Sequence, residues 1–152
     1  MEETLAAADR VAKRRARLSI VLGLLLIIQQ GIFFRDGGME SAMVDSARNV
    51  DLVRMTGWFI WVIMVSILLA TGGGWLQKAE VRRLINDEST RAHRNSALAM
   101  GFWAMAISAI GLYLLSMFEP VGEQMPLHIV LTFGLASALI RFGKLEKAAL
   151  GE

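Results

Sequence analysis

The sequence predicts an all-α integral membrane protein, a four-helix bundle with both ends in the cytoplasm. Two observations carry this expectation. Four stretches of the 152-residue chain hold no charged side chain: Leu18 to Phe34, Met55 to Leu76, Ser96 to Phe118 and Leu127 to Ile140. Their lengths are 17, 22, 23 and 14 residues, against the roughly 20 apolar residues that a helix needs to cross a bilayer core of about 30 Å. The second observation is the placement of Lys and Arg, which gather on one side of these stretches. Hydrophobic residues make up 55% of the chain and the mean hydropathy is +0.48, a modest excess over ordinary soluble domains. The segmentation, rather than the total, decides the class.

Each element follows from local signals. Residues 2 to 17 are rich in alanine and charge and contain no Gly or Pro, so they read as a helix running into the first span. The first helix therefore covers about 4–34 and ends at Arg35-Asp36-Gly37-Gly38, where glycines accept positive φ. The basic tail before this run looks superficially like a signal peptide. The run is too long for a typical signal core and lacks a small-x-small cleavage site, so it reads as a retained anchor. The external segment from Met39 to Asp51 suits a short amphipathic turn, with Met39, Met43 and Val44 toward lipid. The second helix is expected over about 52–84. Trp58, Trp61 and Trp75 lie toward the ends of its apolar run, where indole rings favour the interface.

The third helix is expected over about 87–118. Asn86 is the expected N-cap, Asp87 and Glu88 occupy the first turn where the dipole favours negative charge, and Pro120 closes the far end. Arg91 lies four residues from Asp87 and three from Glu88, the spacing of a surface ion pair. Pro126 suits the first turn of the fourth helix, expected over about 126–147. With only 14 uncharged residues the fourth run is short, and it spans if Phe142 is counted and Arg141 snorkels toward the headgroups.

Orientation follows from counting cations. Arg10, Lys13, Arg14, Arg15 and Arg17 precede the first span. Lys78, Arg82, Arg83, Arg91 and Arg94 lie between the second and third, and Arg141, Lys144 and Lys147 follow the fourth. Only Arg35, Arg48 and Arg54 fall on the other side. The positive-inside rule places the first group in the cytoplasm and makes the chain a multi-pass protein of the cell inner (cytoplasmic) membrane. The lipid bilayer is its first partner, and a net charge of +2 suits anionic headgroups. Direct nucleic-acid binding, the competing reading of the basic tail, is set aside because the basic residues lie where topology already requires them.

Several chemistries are excluded or disfavoured. The chain has no cysteine, so disulfides, thiol catalysis and thiolate metal sites are ruled out. Gly72-Gly73-Gly74 lacks the Lys-Ser/Thr of a phosphate-binding loop and follows a membrane helix rather than a strand. His93 and His128 fall on opposite sides of the bilayer and cannot share one iron. None of the four uncharged runs offers the intramembrane ionisable group that proton-coupled transporters usually carry. No catalytic residue, cofactor or metal site is expected, and the protein is read as non-enzymatic.

Two constellations remain. On the third helix Ala97, Gly101, Ala104, Ser108 and Gly111 recur at spacings of four and three, and Gly134 and Ala138 repeat the pattern on the fourth. Small residues on one stripe let helices approach closely, within the chain or in a homo-oligomer, while Leu98, Phe102 and Met105 are assigned to the opposite face. Gln29 and Gln30 lie inside the first run, and at least one should face the bundle and bond to another helix.

The segment Leu84 to Arg94, running into Ala97 and Gly101-Phe102-Trp103, carries an Asp-Glu pair, spaced arginines, then small residues and Phe-Trp entering a helix. It resembles small uncharacterised prokaryotic multi-pass membrane proteins, over about 25 residues. Genes for such proteins often neighbour small helix-turn-helix regulators. The resemblance thus implies a membrane-held regulatory or scaffold protein whose cytoplasmic face engages a protein partner such as a small transcriptional regulator. Asp87, Glu88, Arg91 and Arg94 are the positions that carry it. Two alternatives stand beside this reading. One is a small-solute transporter or channel lined by Gln29, Gln30, Ser66 and Thr71. The other is an accessory subunit of a larger membrane complex, with the small-residue stripe as its seam.

Overall fold

The computed structural model describes residues 2–35, 47–71, 87–118 and 125–151. Four helices account for nearly all of them: α1 (Glu2–Arg35), α2 (Ala47–Thr71), α3 (Glu88–Ser116) and α4 (Met125–Ala149), with no strand among the described residues. The expected amphipathic turn at Met39 to Val44, the cap at Asn86, the glycine triplet, Trp75 and Pro120 lie outside the described residues. Within them, α3 and α4 are long and apolar enough to cross a membrane, and Thr56–Thr71 of α2 forms a shorter apolar stretch.

The fourth helix, whose uncharged run is the shortest, is the centre of the fold. α4 packs along both α1 and α3 and meets α2 less extensively. Small residues on opposite sides of α4 make this arrangement possible. Toward α3, Gly134 and Ala138 face Gly101: a β-carbon built at Gly101 would lie 2.8 Å from the Gly134 carbonyl oxygen and 2.9 Å from Ala138 Cβ. Toward α1, Gly143 faces Ala16 and Ile20, while Gly23 faces Ala136, Leu139 and Ile140. Backbones that approach so closely gain dispersion contacts over their whole length, the main source of helix association where the surroundings are apolar.

Between these seams lies a core of Leu26, Val65, Leu69, Ala97, Ala136, Ala138, Leu139 and Phe142. α2 joins it through Val65 and Leu69, and through Trp58, whose ring centroid sits 4.1 Å from that of His128. Outside the seams the helices expose their apolar side chains. α3 is exposed along nearly its whole apolar window, whereas the corresponding window of α4 is nearly half buried. Ile107, Ile110 and Tyr113 are each more than 60% exposed. Val21, Leu24, Leu25 and Ile28 continue this apolar surface on α1.

The small-residue stripe is shorter than its sequence spacing suggests. Ala97 and Gly101 are buried, Ala104 and Ser108 are half-buried, and Gly111 is exposed with nothing within 4 Å of an added β-carbon. The antiparallel register that sets Gly101 against Gly134 carries Gly111 to the level where α4 begins, so no neighbouring backbone remains to approach. Met105, assigned to the opposite face, instead fills the space in front of Gly134. Leu98 and Phe102 are exposed.

Candidate functional site

The start of α3 is built by its cap. The Asp87 carboxylate accepts the Thr90 backbone N–H at 2.8 Å and the Ser89 hydroxyl at 3.0 and 3.1 Å. The N-cap is thus Asp87, one residue beyond the expected Asn86. The Thr90 N–H holds the Asp87 carboxyl below the usual carboxylate range, against a smaller opposing effect of burial, with further help from the Ser89 and Thr90 side chains and the Arg15 charge. The expected Asp87–Arg91 ion pair does not form, because the carboxylate is engaged by its own cap. The Arg91 backbone N–H donates to the Asp87 carbonyl at 3.1 Å.

This cap positions Thr90 and His93 toward the bundle, where three helices meet through a polar clasp. Arg15 of α1 donates through Nη2 to Glu146 Oε2 of α4 and to Thr90 Oγ1 of α3, the latter at 3.2 Å. The second Glu146 oxygen lies 3.0 Å from His93 Nδ1. Both side chains of the Arg15–Glu146 pair are only 5% exposed. The Arg15 guanidinium also sits 5.4 Å from the centre of the Phe142 ring, within cation–π range. One carboxylate therefore ties α4 to both its packing partners. Desolvated charge is tolerated there because each oxygen of Glu146 has a donor-type partner.

A fourth tie comes from Arg94. Its Nη1 donates to the Ala70 carbonyl at 2.8 Å, satisfying one of the acceptors that the end of α2 leaves open. Beside the clasp lies a cleft of about 240 Å³, bordered by Asp9, Ala12, Asp87, Ser89, Glu146 and Leu150 among others.

The predicted contact residues thus divide. Glu88 and Arg91 are exposed, whereas Asp87 serves the helix cap and half-buried Arg94 serves the end of α2. Arg15, Thr90, His93 and Glu146 form the organised polar centre, and the sequence reading did not single them out together. A signal existed. Arg15 shares the helical stripe of Ser19, Leu22, Leu26 and Gln30, and Glu146 shares that of Leu139 and Phe142, all buried or half-buried.

At the opposite end, Gln30 faces the bundle and its Oε1 accepts the Thr132 hydroxyl at 3.0 Å. Gln29 and Ser66 are exposed. Ser66 and Thr71 donate back to the carbonyls of Val62 and Ile67 on their own helix, at 2.8 and 2.7 Å. These four residues do not converge on a common path. Among the described residues no group of three or more His, Asp or Glu side chains converges as a metal site requires. Comparison with protein-family models, curated proteins and solved structures gave no match.

Proposed function

We propose that this chain is a non-enzymatic, multi-pass protein of the cytoplasmic membrane, with both termini inside the cell, that engages a cytoplasmic protein partner in a regulatory or scaffold role. The observation that carries the reading is the division of its surface. Apolar side chains stand exposed along the helices, in a pattern that suits lipid contact. Exposed charges cluster at one end, where Arg10, Arg14, Arg17, Glu88, Arg91, Lys144 and Lys147 surround the Arg15–Glu146 clasp. A bundle end held by a buried ion pair and two helix-end bonds is a rigid platform, and rigid platforms bind with little ordering cost.

Glu88 and Arg91 are the contacts assigned to the partner, since both are exposed on the first turn of α3. Asp87 and Arg94 hold that turn in place. The soluble partner class favoured by the sequence resemblance is a small transcriptional regulator. Crosslinking in cells followed by purification in mild detergent tests this directly. The expected result is a soluble cytoplasmic protein captured by the wild type and lost on Glu88→Ala/Arg91→Ala, with the helical content of the variant unchanged. Recovery of the same partner from the double variant, or of membrane subunits alone, contradicts the reading.

A further inference from the structure

The outward face of α1 holds a pattern that neither the clasp nor partner engagement uses. Arg10, Arg14 and Arg17 are all exposed and, at 100° per residue, fall within roughly 60° of arc. The same arc continues up the helix through Val21 and Ile28, flanked by Leu24 and Leu25, all exposed. Arg15, Ser19, Leu26 and Gln30 occupy the far side of the helix and are buried. The nearest described acid, Asp9, is bound to Lys13 at 3.3 Å, so its charge is already matched. Arg10 uses Nε to donate to the Ala6 carbonyl at 3.2 Å, which leaves its terminal nitrogens directed elsewhere.

We infer that this face is a binding site for an anionic phospholipid of the cytoplasmic leaflet, its phosphate held by Arg10, Arg14 and Arg17 and one acyl chain lying along Val21, Leu24, Leu25 and Ile28. The inference rests on the membrane reading above. Charge complementarity selects the headgroup, because guanidinium forks bind phosphate oxygens in bidentate geometry. Length selects the lipid. From Arg17 to Ile28 is roughly 16 Å of helix, close to the half-thickness of about 15 Å for a bilayer core. A headgroup at the arginines therefore lays its acyl chain along the apolar strip as far as the bilayer midplane. A soluble polyanion would match the arginines but leave that strip without a counterpart.

The test is titration of phosphatidylglycerol into the detergent-solubilised chain, with bound lipid counted by native mass spectrometry and phosphatidylcholine as the neutral comparison. The wild type should prefer phosphatidylglycerol. Arg10→Gln/Arg14→Gln/Arg17→Gln should weaken that binding at least tenfold, with roughly 100-fold the additive limit for three surface cations. The charge-matched variant Arg91→Gln/Lys144→Gln/Lys147→Gln should bind as the wild type does. Because Arg14 is fully on the surface, the single reversal Arg14→Glu serves as a second variant and should lose at least half the binding. Equal weakening by both triples, or no weakening by the first, overturns the site. So does displacement of the lipid by duplex DNA at equal phosphate concentration. A wild-type chain released from cell membranes by alkaline wash overturns the membrane reading and this site together, whereas one that stays in the membrane yet shows no lipid preference overturns the site alone.

Discussion

Gly101→Ala should destabilise the fold, although the same change in an open helix stabilises it. Alanine is favoured over glycine in a helix interior by about 1 kcal/mol. At Gly101, however, the added methyl meets the Gly134 carbonyl oxygen at 2.8 Å and Ala138 Cβ at 2.9 Å. Neither neighbour is the free end of a flexible side chain, so α3 and α4 must separate by several tenths of an ångström. Overpacking of this kind typically costs about 1–3 kcal/mol, and the lost contacts are not recovered from lipid, which is as apolar as the seam. The net expectation is destabilisation by about 1–2 kcal/mol. Gly111 lies on the same stripe with nothing within 4 Å of an added β-carbon, so Gly111→Ala should instead gain up to about 1 kcal/mol. Unfolding of both variants in detergent, by heat or by titrated SDS and followed by circular dichroism, reads the sign directly. A larger side chain exaggerates the contrast: Gly101→Leu should be strongly destabilising, while Phe102→Leu, at a position 60% exposed, should do little. If Gly101→Ala is as stable as Gly111→Ala, the close approach of α3 and α4 is wrong.

The clasp makes a second prediction. Glu146→Ala leaves Arg15 desolvated and without its carboxylate, which should cost about 3–5 kcal/mol, whereas Arg15→Met/Glu146→Leu should recover most of that stability because the uncompensated charge is gone. Equal losses in the single and double variants, measured by SDS titration, would show that packing rather than charge sets the cost. The cap makes a third. Asp87 has its carboxyl pKa lowered from 3.8 in the folded chain, so its contribution is fully present above that value and is lost as pH falls through the lower folded one. Asp87→Ala should therefore cost about 1 kcal/mol near neutrality, and the gap to wild type should close as the pH is taken below about 4. A gap that stays constant across that range means that the ionised cap contributes nothing.

How far the sequence foretells this fold depends on which periodicity is followed. Uncharged run length identifies helical segments, because long apolar stretches leave few other ways to satisfy backbone groups in lipid. It misjudges α4. The uncharged run there ends at Ile140, yet the helix continues to Ala149 because its inward stripe continues: Leu139, Phe142 and Glu146 all face the core. Glu146 sits between Lys144 and Lys147 and reads as a solvated tail when charge is counted by segment. Read by helical face, it falls in line with buried residues. Arg15 is missed for the same reason, since five cations in eight residues resemble a topology signal and only one of them turns inward. The seam residues Gly101, Gly134 and Ala138 are legible from spacing alone. Where the seam stops is not, because that depends on the register between α3 and α4, which no single-helix pattern contains.

The account stands or falls on which side of a membrane the clasp lies. The chain contains no cysteine, so single cysteines can be introduced and labelled in intact spheroplasts with a membrane-impermeant maleimide. Glu88→Cys and Lys144→Cys, both exposed at the clasp end, should label only after the membrane is opened, while Gly122→Cys, in the segment between α3 and α4, should label in intact spheroplasts. Labelling of Glu88→Cys in intact spheroplasts, or protection of Gly122→Cys until lysis, would contradict the topology and the partner-facing role built on it.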